Sequence, residues 1–383
     1  MFALALKILI GNRASCIGMI FGVFLATLLI SQQSAIFLGL ASRSYRIVTD
    51  IPEPNLWVMD KATESDDKVR KMPLSYLDII RSVTGIKWAV PIGHVMVQLV
   101  TQSGLFQICE LYGVDDATLI GAPMQMIEGQ VKDLRREGGV IVDVYSANTS
   151  FARKLPDGTK IPLRIGDEFE MNGKRAVVVG ICKVTQGFFP QPIIFTAYSQ
   201  FLRFDPSMAN RLDFIAAKTD PNENIEDIQK RINAIDGFAA FTKDQFEWRI
   251  IEDFLKTGVL INFALSVALG IIIGFSIVGQ TFYLMTLQNL PYYALVKSLG
   301  GTLKMIFQMI AVQVFTVGVI GFCLGIGTTV LWGMAIKDTT LAFLFNWQLL
   351  LFTWMIIVTV CAFAAILSMR KVYKTDPKTL TGN

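Results

Sequence analysis

Residues of the types that catalyse reactions or bind metals are few in this chain. Among its 383 residues there is one histidine, His94, and the five cysteines include no CxxC pair. A structural zinc site needs four such ligands, and His-based nucleophilic catalysis needs a histidine beside its nucleophile. His94 follows Gly93 in a pattern typical of a strand, where we expect a structural or solvated histidine. The sequence therefore predicts no catalytic residue, no metal site and no cofactor bound by this chain itself.

Motifs that bind nucleotides or activate a serine are also missing from the sequence. It contains no GxxxxGKS/T phosphate loop and no GxSxG nucleophile elbow. The paired acids Asp66-Asp67 and Asp115-Asp116 fit solvated turns better than a metal site. The net charge of +4 is small and scattered, so nucleic acid is not a predicted partner. We predict that the chain alone is not an enzyme.

Four apolar segments, each long enough to span a membrane, account for much of the chain. A spanning helix needs about 20 mostly apolar residues, and its backbone must be hydrogen-bonded internally. The segments are residues 15–40, 259–287, 306–336 and 349–369. Hydrophobic residues make up 52% of the chain and charged residues only 17%, which agrees. We predict a polytopic α-helical membrane protein with four transmembrane helices and a large α+β extracytoplasmic (periplasmic) domain between helices 1 and 2.

The predicted organisation divides the chain into ten consecutive segments. These are an N-terminal interfacial helix (1–13), transmembrane helix 1 (14–40), the periplasmic α+β domain (41–241), a stalk helix (242–258), transmembrane helix 2 (259–287), a cytoplasmic connection (288–304), transmembrane helix 3 (305–336), a periplasmic loop (337–346), transmembrane helix 4 (347–369) and a cytoplasmic tail (370–383).

Basic residues beside the apolar segments set the predicted orientation. Lys7 and Arg13 precede the first segment, Lys297 and Lys304 lie between the second and third, and the tail is basic. Because short cytoplasmic loops are enriched in lysine and arginine, both termini are predicted to be cytoplasmic. Arg43 and Arg46 lie on the wrong side, but long loops translocate largely regardless of charge.

Each of three features of the sequence allows two interpretations. Residues 1–12 fit a short helix in the cytoplasmic interface or a frayed start of the first spanning helix. Residues 242–256 favour one continuous, stiff helix that enters the membrane at 259, with an amphipathic helix on the outer membrane surface as the alternative. The Gly321-x-x-x-Gly325 spacing fits close packing inside the chain or a dimer seam.

The polar region between the first two apolar segments has the pattern of a mixed α+β domain. Alternating residues 95–101, a Ser103-Gly104 turn and residues 106–114 predict one hairpin, and Asn172-Gly173 predicts a second. Helices are predicted at 74–83, 145–154, 197–204 and 225–235. Cys109 and Cys182 both lie in predicted strands outside the cytoplasm, where a disulfide is permitted but not established.

The spanning segments contain almost no ionisable residues, which ion-coupled carriers usually place near the membrane midplane. Gln280, Gln308 and Gln313 are the main polar residues of the second and third segments. We therefore expect the energy for any transport to come from another subunit.

The connection between the second and third segments carries a distinctive motif. Residues 290–300 read Leu-Pro-Tyr-Tyr-Ala-Leu-Val-Lys-Ser-Leu-Gly. This resembles the Leu-Pro-x-Tyr-Ala-x-Leu-Lys-Ala-x-Gly turn of DevC-type permeases of ABC exporters, within the MacB/FtsX/LolC superfamily. Tyr292 stands where an acidic residue is usual, and Ser298 where alanine is usual. The matching residues are Leu290, Pro291, Tyr293, Ala294, Lys297 and Gly300.

Both ends of the chain strengthen this resemblance. Residues 369–377, Met-Arg-Lys-Val-Tyr-Lys-Thr-Asp-Pro, look like the family's basic ending, and residues 6–13 look like its N-terminal interfacial helix. The resemblance implies a MacB-like periplasmic domain and a permease in the bacterial inner membrane that forms a homodimer and recruits two cytoplasmic ABC ATPase subunits. Those subunits would bind ATP and Mg, and the complex would act by mechanotransmission.

The resemblance also implies further partners and a substrate class. Tripartite members work with a periplasmic adaptor (membrane-fusion protein) and a TolC-type outer-membrane channel, and relatives move glycolipids, lipids or similar amphiphiles. The alternative is an FtsX-like regulator that transmits ATPase motion to a periplasmic hydrolase or sensor. Membrane lipids surround either form, and no substrate-binding residue is predicted. The predicted ATPase-coupling residues are Leu290, Pro291, Tyr293, Ala294, Leu295, Lys297, Leu299 and Gly300.

Overall fold

The chain folds into two compact units, which we describe separately. The computed structural model describes residues 2–64, 68–102, 104–154, 156, 159–187, 191–336, 339 and 341–374. The membrane unit comprises Met1–Leu40 and Gly258–Asn383, and the outer unit comprises Ala41–Thr257. Asp66-Asp67, Ser103, most of the 337–340 loop and the Asp376-Pro377 pair lie outside the described residues.

The described residues form twelve α-helices and fourteen strands. The helices are α1 Phe2–Gly11, α2 Arg13–Ser44, α3 Arg46–Asp50, α4 Tyr76–Arg81, α5 Val144–Asn148, α6 Tyr198–Phe204, α7 Ile225–Asn233, α8 Lys243–Lys256, α9 Val259–Gln288, α10 Leu290–Ser298, α11 Leu303–Ile336 and α12 Trp347–Lys374. The strands are β1 Leu56–Asp60, β2 Met72–Pro73, β3 Ile86–Thr101, β4 Phe106–Val114, β5 Gln125–Gly129, β6 Gly139–Asp143, β7 Arg153–Lys154, β8 Lys160–Ile161, β9 Glu168–Met171, β10 Lys174–Lys183, β11 Ile193–Ala197, β12 Arg211–Leu212, β13 Phe214–Thr219 and β14 Phe238–Thr242.

Four helices in the described part of the chain are long and apolar enough to cross a membrane. They are Arg13–Ser44, Val259–Gln288, Lys304–Ile336 and Trp347–Ile366. Their shared core contains Met19 and Val23 from α2, Phe282 from α9 and Val317 from α11, all buried. The predicted fold class, four transmembrane helices with an α+β domain inserted after the first, is confirmed.

Helix α11 approaches α2 closely through two glycines. A Cβ atom on Gly321 would lie 2.6 Å from Val23, and one on Gly325 would lie 2.6 Å from Thr27. Such distances are shorter than any van der Waals contact, so only glycine permits this approach. The Gly321-x-x-x-Gly325 spacing is therefore used for packing within the chain, which decides between the two sequence interpretations.

The outer unit is built around the sixteen-residue strand β3, which belongs to two sheets. Its first half pairs with β13 in a sheet ordered β14-β1-β13-β3. From Gly93 onward it pairs with β4, and the strands β3-β4-β11-β6-β10-β9 close into a ring because β9 pairs with both β10 and β3. Closure leaves no free edge in this ring.

Each sheet has its own apolar core. Helices α4 and α7 contribute Ile80, Ile228 and Ile232 to a core with Leu56 of β1. The ring is filled mainly by alternating residues of its strands and is covered by α6. Phe201 of α6 packs against Gly93 of β3 and Gly113 of β4, which face each other. A Cβ atom on Gly93 would lie 2.5 Å from the phenyl ring and one on Gly113 would lie 2.6 Å from it, so only glycine leaves room for Phe201.

Both predicted hairpins are confirmed. Strands β3 and β4 are antiparallel neighbours, and β9 and β10 join through Asn172 and Gly173, which have φ angles of 46° and 76°. Two positive φ values in a two-residue loop match the twist of the strands it connects. The predicted helix at 145–154 is wrong in its second half: α5 ends at Asn148, and Arg153–Lys154 is strand β7. Asn148, Thr149 and Ser150 favour helix ends over helix interiors.

The sheet order answers the question of a disulfide between Cys109 and Cys182. Cys109 lies on β4 and Cys182 on β10, and either way around the ring two strands separate β4 from β10. A disulfide requires Cα atoms within about 7 Å, a distance that opposite walls of a side-chain-filled ring exceed. Both thiols are buried and free.

The helix before the second spanning segment differs from the prediction. The sequence favoured one continuous helix through residue 259, but α8 ends at Lys256 and Gly258 takes a left-handed φ of 78° before α9 begins. Only glycine adopts that conformation readily, so a single residue interrupts the helix. The expectation of one unbroken rod is wrong.

Helix α8 is also part of the outer unit and not a free amphipathic segment. Its Phe246 packs on Trp57 of β1 with ring centroids 5.7 Å apart. Asp253, which is buried, accepts a hydrogen bond from Lys68 Nζ at 2.9 Å. An apolar face on the sheet and a partly buried ion pair together fix α8 to this unit.

Candidate coupling site

The connection between α9 and α11 contains the short helix α10, which is formed by the motif residues. Pro291 lies in its first turn, where the missing N–H costs nothing. Gly300 ends the turn with a φ of 89°, and a Cβ on Gly301 would lie 2.6 Å from the Val296 carbonyl oxygen. Because side chains disfavour both positions, the two glycines allow the chain to reverse tightly into α11.

The outward face of α10 is apolar. Leu295 is 58% exposed, Leu299 is 80% exposed and Tyr292 is 55% exposed. Pro291 is exposed on the same short helix, and Lys297 is half-buried. Exposed apolar side chains grouped on one short helix form a surface that either another protein or the lipid headgroups of the membrane interface can cover. We call Pro291, Tyr292, Leu295 and Leu299 the outward face.

The predicted coupling residues do not all reach this face. Tyr293 is only 1% exposed, so it cannot contact a partner from its observed position. Leu290 and Ala294 are half-buried against the membrane unit. The motif match identified residue types without showing which way they point, and a helix of nine residues necessarily divides them between its inward and outward faces.

Tyr293 instead holds α10 against the neighbouring helices. Its hydroxyl donates to Gln313 Oε1 of α11 at 3.0 Å. Gln313 Nε2 donates in turn to the backbone carbonyl of Ala5 in α1 at 2.9 Å. Burial raises the pKa of Tyr293 to about 12, so it remains a neutral hydrogen-bond donor. This chain of two hydrogen bonds joins α10, α11 and α1.

The first helix is a separate element, distinct from a frayed start of α2. It ends at Gly11, and Asn12 Oδ1 accepts from the Ser15 backbone N–H at 3.2 Å, as a helix-capping residue does. Asn12 Nδ2 also donates to Gln288 Oε1 at 3.0 Å, and Ser15 Oγ donates to the same oxygen at 2.5 Å. The buried face of α1 packs on α11 through Ala5 and Leu9.

Gln313, Gln288 and Asn12 were not among the predicted site residues. A usable signal was present for Gln313, because a glutamine inside an apolar helix must find hydrogen-bond partners within the protein. The sequence alone could not say which partners, since Ala5 and Tyr293 are far from it in the chain.

The single histidine has a structural environment in the outer unit. His94 Nε2 lies 3.3 Å from Glu110 Oε2, its ring stacks on Tyr112, and its backbone N–H donates to Asp213. Glu110 also pairs with the buried guanidinium of Arg46. Among the described residues, no group of histidine, cysteine or acidic side chains has the arrangement of a metal site.

The Asp115-Asp116 pair caps local structure. Asp115 Oδ2 accepts from Thr118 N–H and Oγ, both at 2.7 Å, and Asp116 accepts from the Ser199 backbone N–H at the start of α6. These bonds account for both carboxylates without a ligand.

Comparison with known proteins agrees with this architecture. The family model of the MacB-like periplasmic core domain matches residues 14–235, and that of the FtsX-like permease C-terminal domain matches residues 264–377. The first match alone covers more than half of the chain, so this protein belongs to the MacB/FtsX/LolC superfamily of ABC-transporter permeases. Such permeases are not themselves enzymes and work with ABC ATPase partners. The DevC subtype stays a prediction.

Solved structures of related domains are similar at low identity. The periplasmic region of MacB from Actinobacillus actinomycetemcomitans is 14% identical, with a TM-score of 0.38, over 53% of this chain and 97% of that one. The extracellular domain of the Gram-positive transporter YknZ is 12% identical, with a TM-score of 0.35, over 49% of this chain and 99% of that one. No curated protein sequence matches the chain.

Proposed function

We propose that this chain is the permease subunit of an ATP-driven exporter that couples a separate cytoplasmic ATPase to conformational change in its periplasmic domain. The observation that carries the proposal is the outward face of α10. It presents Leu295 and Leu299 from a short connection that two hydrogen bonds and two glycines hold in place. A rigid, apolar projection of this kind can transmit force from a partner to the helices on either side.

The distribution of basic residues supports the proposed orientation. Lys297 and Lys304 flank the α9–α11 connection, and Lys7 and Arg13 flank α1, which supports cytoplasmic placement of both termini and of α10. In this orientation the outer unit faces the periplasm from the inner membrane, and α10 faces the compartment that contains ATP.

A second copy of the chain completes the proposed transporter. In the single chain, 17% of the apolar 18-residue stretch of α9 that could span the membrane is buried, against 50% of the corresponding stretch of α11. Ile261, Leu265 and Ile272 lie on its exposed surface. A homodimer contacting along α9 would cover part of this face and bring two α10 helices to two ATPase subunits, which would hold the ATP and Mg.

The outer unit supports the proposed periplasmic partners. Met96 and Val100 of β3 and Phe106 and Ile108 of β4 are exposed on one side of the hairpin. An apolar sheet face of this extent fits contact with another protein. We propose a periplasmic adaptor there, leading to a TolC-type outer-membrane channel, with a glycolipid, lipid or similar amphiphile as substrate.

The docking proposal is tested by co-purification of the ATPase. Leu295→Asp and Leu299→Asp each place a charge on the outward face. We expect each to lower the affinity for the ATPase by roughly thirtyfold or more, and so to reduce its recovery, since a buried interface anchor commonly contributes more than about 2 kcal/mol. Thr302→Asp is the matched control: it adds the same charge three residues after Leu299 and preserves the capping bond to Met305 N–H. Undiminished recovery with both leucine variants would place the docking surface elsewhere.

Export is tested separately from docking. A deletion strain should lose an amphiphile from its outer membrane or medium, as detected by mass spectrometry, and the Leu299→Asp permease should not restore it. Unchanged export together with loss of a periplasmic hydrolase activity would identify the chain as an FtsX-like regulator.

A further inference from the structure

One glutamine connects three helices of the membrane unit. Gln313 is 1% exposed, and both ends of its amide are used: Oε1 accepts from Tyr293 of α10, and Nε2 donates to the carbonyl of Ala5 in α1. Both bonds are buried, so water cannot replace them. Leaving a buried amide or hydroxyl unpaired costs the full desolvation penalty of that group.

A second polar contact ties the other end of α1 to the same connection. Gln288, the last residue of α9, receives hydrogen bonds from Asn12 and Ser15 at the junction of α1 and α2. Helix α1 is therefore attached near its start to Tyr293, through Gln313, and at its end to Gln288, two residues before α10 begins. Two attachments along one short helix resist both sliding and rotation of α1 against α10.

We infer that Gln313 is a positioning residue that makes α1 move with α10, so that the N-terminal helix is a working part of the coupling apparatus. The inference rests on the proposed function, because α10 must be the element that the ATPase displaces. If α10 shifted alone, the Tyr293–Gln313 bond would be strained or broken in a site without water, and if α10 and α11 shifted without α1, the Gln313–Ala5 bond would be. Moving the three helices together preserves them.

The two hydrogen bonds of Gln313 are tested first on the purified chain, without the ATPase. Gln313→Leu removes both bonds at similar volume, and hydrogen exchange of the α1 amides should become about tenfold faster, the effect of one lost buried hydrogen bond. Gln308→Leu is the matched control, because Gln308 is an exposed glutamine on the same helix. Equal exchange in these two variants would overturn the inference. Tyr293→Phe should leave α1 exchange unchanged, since the Gln313–Ala5 bond remains.

Coupling is tested in the complex with its ATPase. In a cysteine-free chain, single cysteines at Ser298 and Lys7 report on α10 and α1 through their rates of reaction with a soluble maleimide, with and without ATP and vanadate. Both rates should change in the otherwise unaltered protein. In Gln313→Leu and Tyr293→Phe the Ser298 response should remain and the Lys7 response should be smaller, because the bonds to Gln288 are then the remaining link described between α1 and the connection. If Tyr293 and Gln313 only stabilised the fold, each substitution would change both the α1 exchange rate and the response at Lys7. A Tyr293→Phe variant that keeps the parent's α1 exchange rate but has a smaller response at Lys7 therefore supports a positioning role.

The outcomes distinguish the two proposals. A Lys7 response of unchanged size in both variants would overturn coupling through Gln313 while leaving ATPase docking intact. A cysteine at Ser298 that never responds would contradict the proposed docking at α10. The exchange measurement would still decide whether the bonds of Gln313 hold α1 in place.

Discussion

Arg46 lies two residues after the end of the first spanning helix, and its guanidinium pairs with the carboxylate of Glu110 inside the outer unit. Arg46 is 5% exposed and Glu110 is 8% exposed, and Tyr112 Oη bonds to both, at 2.8 Å and 3.0 Å. In the predicted orientation, this pairing accounts for an arginine on the side of the membrane where basic residues are disfavoured, because its charge is neutralised by a carboxylate of the domain.

Removing one member of this pair should destabilise the outer unit strongly. Arg46→Met leaves Glu110 buried without its cation, which typically costs about 3–5 kcal/mol, whereas Arg46→Met with Glu110→Gln should recover most of the loss. Urea unfolding of residues 41–257, which form one compact unit, measures both. Arg175→Met is the control, because its pair with Glu168 is exposed and solvent-exposed ion pairs contribute little to stability.

Asp213 should make the stability of the outer unit depend on pH. Burial raises its pKa from 3.8 to about 6, an effect that the hydrogen bond from His94 N–H only partly opposes. Between pH 4 and 6 the folded unit therefore holds a proton that the unfolded chain has released. Stability should fall as pH rises through this window, by up to about 3 kcal/mol.

Asp213→Asn checks this assignment because it cannot ionise and its side-chain oxygen can still accept from His94. The variant should flatten the stability profile between pH 4 and 6 and unfold at higher urea concentration than the parent at pH 7. Buried Trp57, packed on Phe246, provides a fluorescence signal for the measurement. An unaltered slope in the variant would assign the pH dependence to another group.

The sequence predicted what depends on local chemistry and missed what depends on distant contacts. Apolar length identified the four spanning helices, and Asn172-Gly173 identified a hairpin, because both signals lie within one element. Closure of the ring by β9 could not be predicted, since its partners β3 and β10 are determined by register across the whole domain. The prediction of a continuous helix through Gly258 was wrong because a glycine can either lie inside a helix or end it, and its presence in the sequence does not decide between the two.

The candidate site shows the same division. The motif located α10 and the turn at Gly300 from residue types alone. It did not reveal that Tyr293 points inward, because the partner that holds it, Gln313, lies on another helix and bonds to a backbone carbonyl that no side-chain pattern reveals.

The glycine seam between α2 and α11 should be sensitive to single substitutions. Gly325→Val places a branched side chain where a Cβ would already lie 2.6 Å from Thr27, and overpacking of this kind typically costs about 1–3 kcal/mol. The thermal unfolding midpoint of the purified chain in detergent should fall. Gly327→Val is the matched control on the same helix, because nothing lies within 4 Å of its Cβ position. Equal midpoints for the two variants would argue against the seam.

The membrane orientation can be tested with single cysteines in a cysteine-free chain. Lys61 and Asn222 of the outer unit and Ser298 of α10 are all exposed, so a failure to react cannot be attributed to burial in the fold. With both termini in the cytoplasm, cysteines at Lys61 and Asn222 should react with a membrane-impermeant maleimide in intact spheroplasts. A cysteine at Ser298 should react only after the membrane is permeabilised. Reaction at Ser298 in sealed spheroplasts would reverse the orientation, because α10 would then face away from the compartment that holds ATP and the outward face could not receive an ATPase.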